Sequence, residues 1–364
     1  MQTALTAEQK QQLFDDGFII IRNAVSKDLT RRARELFRSH HLDENDQLIN
    51  PPEVTTHSSV LGLFNDSSLA AILRNEMGPF PEVISSQVAV TPPYNVTRGA
   101  STPHVDGGWS GAIPEDARDI DLSLGRPHDA EKYFGKDDER PGTNDSLLWQ
   151  DADRTISLGS YTALVGVAVN DQLEPGNGQF AVVKGAHKLV EESFRMQRQA
   201  GGVIGAEGPD WPRIILNGSG QPMLNGVPNV VHELMARLAE ENEAIEGWPW
   251  PALTPVLLAE GDGVIALHSC PHTATPNLSS NPRMNVYFRI RRLREGSPHE
   301  GARRIGHGVS DHPDRGYFGQ FLHYPDGYDT FKISIDKLCD HWSEWDGMQE
   351  FVQANEIPGK TVSN

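Results

Sequence analysis

The chain has 364 residues and a formal net charge of -18, with 32 Lys and Arg against 50 Asp and Glu. Its hydrophobic fraction of 37% is typical of a globular protein. A surface this acidic repels phosphate backbones, which argues against nucleic acid as the main partner. No apolar run is long enough to cross a membrane, the N-terminus does not have the pattern of a signal peptide, and the cysteines are only Cys270 and Cys339. The sequence therefore predicts a cytoplasmic protein without a disulfide framework.

The predicted elements begin with a helix over residues 6–16, where Thr6 and Gln9 have the spacing of a capping box. The apolar run 18–21 predicts a buried strand, and 27–40 predicts a second helix. Later segments continue this mixture. Strands are predicted over 82–90, 161–169, 179–183, 264–267 and 284–290, and helices over 187–199 and 230–243.

Two stretches, about 107–157 and about 200–250, interrupt this pattern. The first is rich in Gly, Pro, Asp and Arg and has weak apolar periodicity, so it is predicted to be either a lid that orders over the substrate or a permanently ordered surface insertion. The second contains several tryptophans and is also expected to be a lid-like insertion. Many short strands separated by turns favour a mainly β barrel or sandwich with flanking helices. No linker separates two apolar halves, so the sequence predicts a single domain over residues 1–364.

The chemistry centres on His104-Val105-Asp106, which follows a predicted strand and precedes Gly107-Gly108. On a strand, residues i and i+2 point to the same face, so His104 and Asp106 can bind one metal ion. Two histidines and one carboxylate leave open positions, as in non-haem Fe(II) oxygenases. His-x-Asp also occurs at His41 and at His312, but the first is at a helix end and the second contains a proline.

A downstream segment supplies the remaining candidates. His268 and His272 lie at and after the end of the predicted strand 264–267, and Arg283 opens the next strand. The planar guanidinium of arginine suits bidentate binding of a carboxylate, such as the distal carboxylate of 2-oxoglutarate.

These motifs together resemble the phytanoyl-CoA dioxygenase family of 2-oxoglutarate oxygenases. The resemblance rests on His104-x-Asp106, on His272 followed by Pro276-Asn277, and on Arg283. Family-like stretches also occur at 12–20 and at 177–188. The resemblance implies a double-stranded β-helix, or cupin-like jelly roll, that holds Fe(II) and 2-oxoglutarate. It also implies that a small or mid-sized organic substrate is hydroxylated or otherwise oxidised by O2, with release of succinate and CO2.

Within this resemblance, the spacing to Arg283 favours His272 over His268 as the third metal ligand, and His268 is then expected to lie near the site without binding the metal. Gln87 matches a position that often contacts the cosubstrate. Ala274 departs from the family, in which a small polar residue is frequent at this place. Relatives that halogenate lack the carboxylate of Asp106, so oxidation is expected here.

Arginines cluster late in the chain, and two interpretations of this basic cluster stay open: a solvated group that balances nearby acids, or a site for an anionic group of the substrate. The cluster consists of Arg289, Arg291, Arg292, Arg294, Arg303 and Arg304. Arg289 is the candidate nearest to the predicted site. Trp109, three residues after Asp106, is a second candidate for contact with the substrate.

Two other functions remain possible from the sequence. One is a cupin-like metal enzyme that does not use 2-oxoglutarate, against which Arg283 argues. The other is a non-catalytic binding protein on the same fold, against which the complete set of candidate ligands argues.

Overall fold

The computed structural model describes residues 2–42, 52–80, 82–84, 86–96, 103–105, 162–192, 215–216, 222–223, 227, 229–290, 292 and 345–355. The helices in these ranges are α1 Ala7–Asp16, α2 Lys27–Ser39, α3 Pro52–Thr55, α4 Ser58–Asn65, α5 Ser68–Glu76, α6 Asn229–Glu241 and α7 Gln349–Asn355. The strands are β1 Phe18–Ile21, β2 Gln87–Thr91, β3 Ala163–Ala168, β4 Phe180–Val182, β5 Ile215–Leu216, β6 Pro222–Met223, β7 Thr254–Pro255, β8 Gly263–Leu267, β9 His272–Ala274 and β10 Arg283–Ile290. A helical stretch also covers 187–192.

The largest sheet has five antiparallel strands in the order β1-β8-β3-β10-β2. Its three inner strands, β8, β3 and β10, are almost entirely buried. A sheet with one face in solvent would instead alternate buried and exposed residues along each strand. Burial of successive residues requires cover on both faces of the sheet. Helices cover one face, and a second sheet faces the other.

The helical cover is built from α4 and α5. The Phe64 ring of α4 lies 5.4 Å from the Phe288 ring of β10, between centroids. Gly263, at the start of β8, lies so close to Leu69 of α5 that a Cβ atom there would be 2.7 Å from a leucine methyl carbon. This close approach explains why a strand rich in β-branched residues begins with glycine.

The second sheet has three antiparallel strands in the order β7-β4-β9. Its Phe180 ring, on β4, lies 5.8 Å from the Tyr287 ring on β10 of the large sheet. Since Phe288 faces the helices and Tyr287 is its neighbour, the odd-numbered residues of β10 face the second sheet. The region between the two sheets is therefore lined by Arg283, Asn285, Tyr287 and Arg289.

The N-terminal and C-terminal parts of the described chain meet at Glu76. One carboxylate oxygen accepts from the backbone N–H of Leu5 at 2.8 Å, and the other lies 3.0 Å from the Lys10 ammonium. The backbone carbonyl of Glu76 accepts from the N–H of Gly347 at 2.9 Å. Trp345, beside this contact, is fully buried.

The prediction of a mainly β protein with flanking helices is confirmed, and the described sheets are antiparallel. The double-stranded β-helix and the single domain stay predictions. The strand predicted over 82–90 was placed too early, because β2 begins at Gln87. The carbonyl of Val83 accepts from Asn65, and Ser86 donates to Thr55, so this segment is held by the helical layer. His272, predicted to follow a strand, instead opens β9.

No described helix has the length and hydropathy that a membrane crossing requires.

Candidate functional site

The backbones of His104 and His272 pair as an antiparallel bridge. Each residue donates its N–H to the carbonyl oxygen of the other, both at 2.9 Å. Directly opposite residues of an antiparallel pair project their side chains from the same face. The two imidazole rings accordingly lie 5.0 Å apart between centroids. Residues 168 positions apart in the chain, the difference between 272 and 104, are thus brought to one place.

The imidazole of His272 has a defined orientation. Its Nδ1 atom lies 3.0 Å from the carbonyl oxygen of Cys270, which can only accept. Nδ1 is therefore the nitrogen that donates, and Nε2 is the nitrogen that a metal ion would bind. The side chain is 5% exposed, and the Phe180 ring lies against it with centroids 5.1 Å apart. Burial raises the pKa of the Cys270 thiol, which keeps this neighbour neutral.

Two residues predicted for the site, Asp106 and Trp109, lie outside the described residues, as does the whole of 107–157. Val105 is 2% exposed, whereas its neighbour His104 is half-buried beside the His272 ring. This alternation is that of an extended segment, and the same-face argument for His104 and Asp106 depends on it. The ligand role of Asp106 stays a prediction.

Arg283 opens β10 opposite Thr91 of β2 and is 1% exposed. Its Nη1 atom donates to the carbonyl oxygen of Ala89 at 3.4 Å. Gly178, after the turn that precedes β4, approaches the Arg283 side chain so closely that a Cβ atom there would lie 3.4 Å from the arginine Cβ. The guanidinium N–H groups of Arg283, which are predicted to bind a carboxylate, are therefore buried on the face of the large sheet that is directed toward the second sheet.

Gln87 and Arg289 contact each other across β2 and β10. The Arg289 Nη1 atom donates to Gln87 Oε1 at 2.7 Å. Gln87 faces the same side of the sheet as Tyr287, its register partner. The structure thus places both predicted residues on the inner face, at the end of β10 remote from Arg283. The cosubstrate contact of Gln87 and the substrate contact of Arg289 stay predictions.

Of the basic cluster, the structure describes Arg289 and Arg292. Arg292 is 7% exposed, and its backbone N–H donates to Thr162 Oγ1 at 2.9 Å. Arg291, Arg294, Arg303 and Arg304 lie outside the described residues. Neither interpretation of the whole cluster is decided, and both stay predictions.

His268 follows β8 and is buried, with its backbone N–H 3.3 Å from the carbonyl oxygen of Thr162. The next residue, Ser269, donates to the buried Glu191 carboxylate at 3.1 Å. His268 does not share the backbone pairing that brings His272 to His104. This difference favours His272 over His268 as the ligand, as the spacing to Arg283 did.

Sequence analysis missed three residues that line the same region: Phe180, Asn285 and Tyr287. Phe180 touches both His272 and Tyr287, and Asn285 Nδ2 donates to the Tyr287 hydroxyl at 2.9 Å. A signal was present, because polar residues alternate with apolar ones at 283, 285, 287 and 289. Period-two alternation within a buried strand indicates that one face has a polar environment.

His187 is a buried histidine that belongs to the scaffold. Its Nε2 atom lies 3.0 Å from the carbonyl oxygen of Phe14, so Nε2 is the protonated nitrogen. Burial lowers the pKa of His187 to about 4, which keeps the ring neutral. Its ring packs on Gly17, which ends α1 at φ +82, where a Cβ atom would be 2.6 Å from Nδ1.

No protein-family profile matches the chain, and no curated protein matches it in sequence. Solved structures resemble it in fold at low similarity. HygX from Streptomyces hygroscopicus, with nickel and 2-oxoglutarate bound, is 17% identical with a TM-score of 0.40, over 80% of this chain and 88% of that one. EctD from S. alaskensis with bound Fe is 15% identical with a TM-score of 0.41, over 80% and 79%.

The non-heme alpha-ketoglutarate-dependent carbocyclase SnoK from nogalamycin biosynthesis is 13% identical with a TM-score of 0.39, over 79% of this chain and 84% of that one. Metal ions and 2-oxoglutarate thus recur among the structures that this chain resembles. At such TM-scores the likenesses decide neither the fold nor the activity of this chain.

Proposed function

We propose that the chain is an Fe(II)- and 2-oxoglutarate-dependent oxygenase of the phytanoyl-CoA dioxygenase type, with a double-stranded β-helix core. The observation that carries the proposal is the backbone pairing of His104 with His272, which sets two imidazoles 5.0 Å apart on one face. A carboxylate two residues after His104 completes the set of two histidines and one acid that such iron sites use.

The residues fit a resident metal ion. His272 Nδ1 donates a hydrogen bond to the Cys270 carbonyl, which assigns Nε2 as the nitrogen that would bind a metal ion. His104, Asp106 and His272 would hold the iron. When bound, iron with 2-oxoglutarate supplies the reduction of O2, one oxygen atom ending in succinate and the other in the oxidised substrate, while CO2 is released.

The other residues of the region bind, orient and exclude water. Arg283 is proposed to bind the distal carboxylate of 2-oxoglutarate, because its guanidinium is buried on the inner face of β10. Phe180 packs on the His272 ring and fixes its plane. Strands β3 and β4, one from each sheet, are buried along their whole length. This burial is proposed to keep bulk water out of the region where the substrate is oxidised. The insertions about 107–157 and 200–250 are proposed to cover the substrate, a small or mid-sized organic molecule.

The test is production of succinate by the protein loaded with Fe(II) and supplied with 2-oxoglutarate and O2. His272→Ala provides the matched blank. We expect succinate from the wild type and none from the variant. A protein that binds metal but neither binds nor consumes 2-oxoglutarate would instead be a cupin-like metal enzyme of another kind.

A further inference from the structure

The side-chain amides of Gln172 and Asn285 form a series of hydrogen bonds that ends at the Tyr287 hydroxyl. The Gln172 amide has a fixed orientation. Gln172 is 1% exposed, and its Nε2 atom lies 3.4 Å from the carbonyl oxygens of both Asn170 and Met284. Backbone carbonyls only accept hydrogen bonds, so the atom between them is the amide nitrogen. The same Nε2 donates to Asn285 Oδ1 at 2.6 Å.

This orientation is transmitted to Tyr287. Because Asn285 Oδ1 accepts from Gln172, the other end of the Asn285 amide is the nitrogen, and it donates to the Tyr287 hydroxyl at 2.9 Å. The hydroxyl oxygen is therefore an acceptor in this contact, and its own proton is directed elsewhere. Tyr287 is 7% exposed, and within the described ranges no group accepts that proton.

The position of the ring shows where the proton points. Tyr287 lies opposite Gly166 of β3, where a Cβ atom would be 2.9 Å from the tyrosine ring, so the glycine makes room for it. The ring contacts Phe180, which in turn contacts His272. Since its hydroxyl bonds to Asn285, two residues earlier on β10, the side chain extends back along the strand toward the end occupied by Arg283.

We propose that the Tyr287 hydroxyl donates a hydrogen bond to the distal carboxylate of 2-oxoglutarate, beside Arg283; this assignment rests on the function proposed above. A carboxylate is an acceptor-only group, which is what a hydroxyl fixed as a donor requires. Gln172 and Asn285 are then positioning residues, because they fix the direction of the hydroxyl proton without touching the ligand. The cosubstrate is thereby held by one buried cation and one oriented neutral donor.

The experiment removes the hydroxyl group from the protein and, separately, the distal carboxylate from the ligand. Tyr287→Phe deletes only the donor, and Tyr94→Phe, at a tyrosine that is 67% exposed, is the matched control. Dissociation constants are measured by calorimetry under anaerobic conditions on the Fe(II)-loaded protein. The two probes are 2-oxoglutarate and 2-oxovalerate, which keeps the keto acid but lacks the distal carboxylate.

For Tyr287→Phe we expect 2-oxoglutarate to bind about 10- to 150-fold more weakly, the range for a hydrogen bond to a charged group. Binding of 2-oxovalerate should be unchanged, because its acceptor is missing, and Tyr94→Phe should match the wild type with both probes. Equal weakening for the two probes would place the hydroxyl contact elsewhere and overturn the proposal, as would unchanged 2-oxoglutarate binding. A wild type that binds no 2-oxoglutarate would refute the proposed function itself, and this assignment with it.

Loss of the hydroxyl also deprives Asn285 of an acceptor, so Tyr287→Phe can weaken the fold. Replacement of Tyr287 by 3-fluorotyrosine keeps the ring and the hydroxyl and makes a stronger donor. We expect this variant to bind 2-oxoglutarate more tightly than the wild type and 2-oxovalerate equally. Unchanged affinity for 2-oxoglutarate in a folded 3-fluorotyrosine protein would overturn the assignment without reference to Tyr287→Phe.

Discussion

The two faces of strand β10 differ in every residue. The face toward the helices carries only apolar side chains: Met284, Val286, Phe288 and Ile290. The face toward the smaller sheet carries only polar or charged ones: Arg283, Asn285, Tyr287 and Arg289. Both sets are largely buried, so the difference does not reflect contact with bulk solvent. It separates a face that stabilises the fold from a face that can bind a ligand.

The comparison shows that residues that stabilise the fold alternate along β10 with residues that can bind a ligand. Adjacent substitutions should therefore have unrelated effects, one on the free energy of unfolding and the next on ligand affinity. Two histidines allow the same comparison outside β10. His272 faces its partner in the proposed metal site, whereas His187 supports the end of α1.

The largest effect is expected from His272→Ala, which removes a proposed metal ligand. Succinate production should be abolished and Fe(II) binding sharply weakened, whereas the apolar face of the large sheet is untouched. Iron content after gel filtration and succinate release are the measurements. His268→Ala is the control and should retain iron. Activity in His272→Ala together with its loss in His268→Ala would mean that the ligand was assigned to the wrong histidine.

Phe288→Ala tests the opposite face. The ring is fully buried and packs 5.4 Å from Phe64, so its removal leaves a cavity. The free energy of unfolding should fall by about 3–5 kcal/mol, as for other buried phenylalanines. Urea unfolding checks this value, with Leu173→Ala, at a residue 49% exposed, as the control. A large loss of 2-oxoglutarate affinity in the folded variant would contradict the separation of the two faces.

Arg283→Lys keeps the charge on the polar face but removes the planar fork. Affinity for 2-oxoglutarate should fall about 10- to 150-fold, equivalent to about 1.5–3 kcal/mol, because one of two parallel hydrogen bonds to a carboxylate is lost. Fe(II) binding should change little. Calorimetry with each ligand separates the two effects, and Arg32→Lys on the exposed face of α2 provides the control. Equal 2-oxoglutarate affinity in the variant would mean that another residue anchors the cosubstrate.

The smallest effect is expected from His187 and only in acid. Its pKa is about 4 in the folded protein and 6.5 is the ordinary value, so the unfolded chain binds the proton first. The free energy of unfolding should therefore be lowered as the pH falls from about 6.5 to about 4. His187→Gln retains a donor for the Phe14 carbonyl and should lose this part of the pH dependence. Identical pH profiles for the two proteins in urea unfolding would contradict the assignment.

Local signals predicted much of the fold. The capping box at Thr6 and the apolar runs at β1, β8 and β10 are properties of neighbouring residues, and each element formed close to its expected place. The start of β2 was misplaced because Asn65 and Thr55 hold the residues before it, and no local pattern reveals such contacts. The helices over 52–76 were not predicted, since each is short.

The sequence predicted the residue types of the candidate site but not the hydrogen bonds between its side chains. His104, His272 and Arg283 stood out because metal and carboxylate binding require those side chains. The orientation of Tyr287 depends on Gln172 and Asn285, which are 113 residues apart in the chain. Such a contact follows only from strand order and register. Alternation along β10 could have indicated a polar inner face, but not the direction of a hydroxyl proton.

The order of strands in the large sheet has a consequence for synthesis on the ribosome. β1 is the first of the described strands, and β8 is the only one of them that pairs with it, with Ile19 opposite Ile265. Pairing between such distant segments gives a high contact order, which slows folding. The apolar segment Phe18–Ile21 therefore stays without this partner until β8 has been synthesised, and we expect chaperones that bind short hydrophobic peptides to recognise it in the nascent chain.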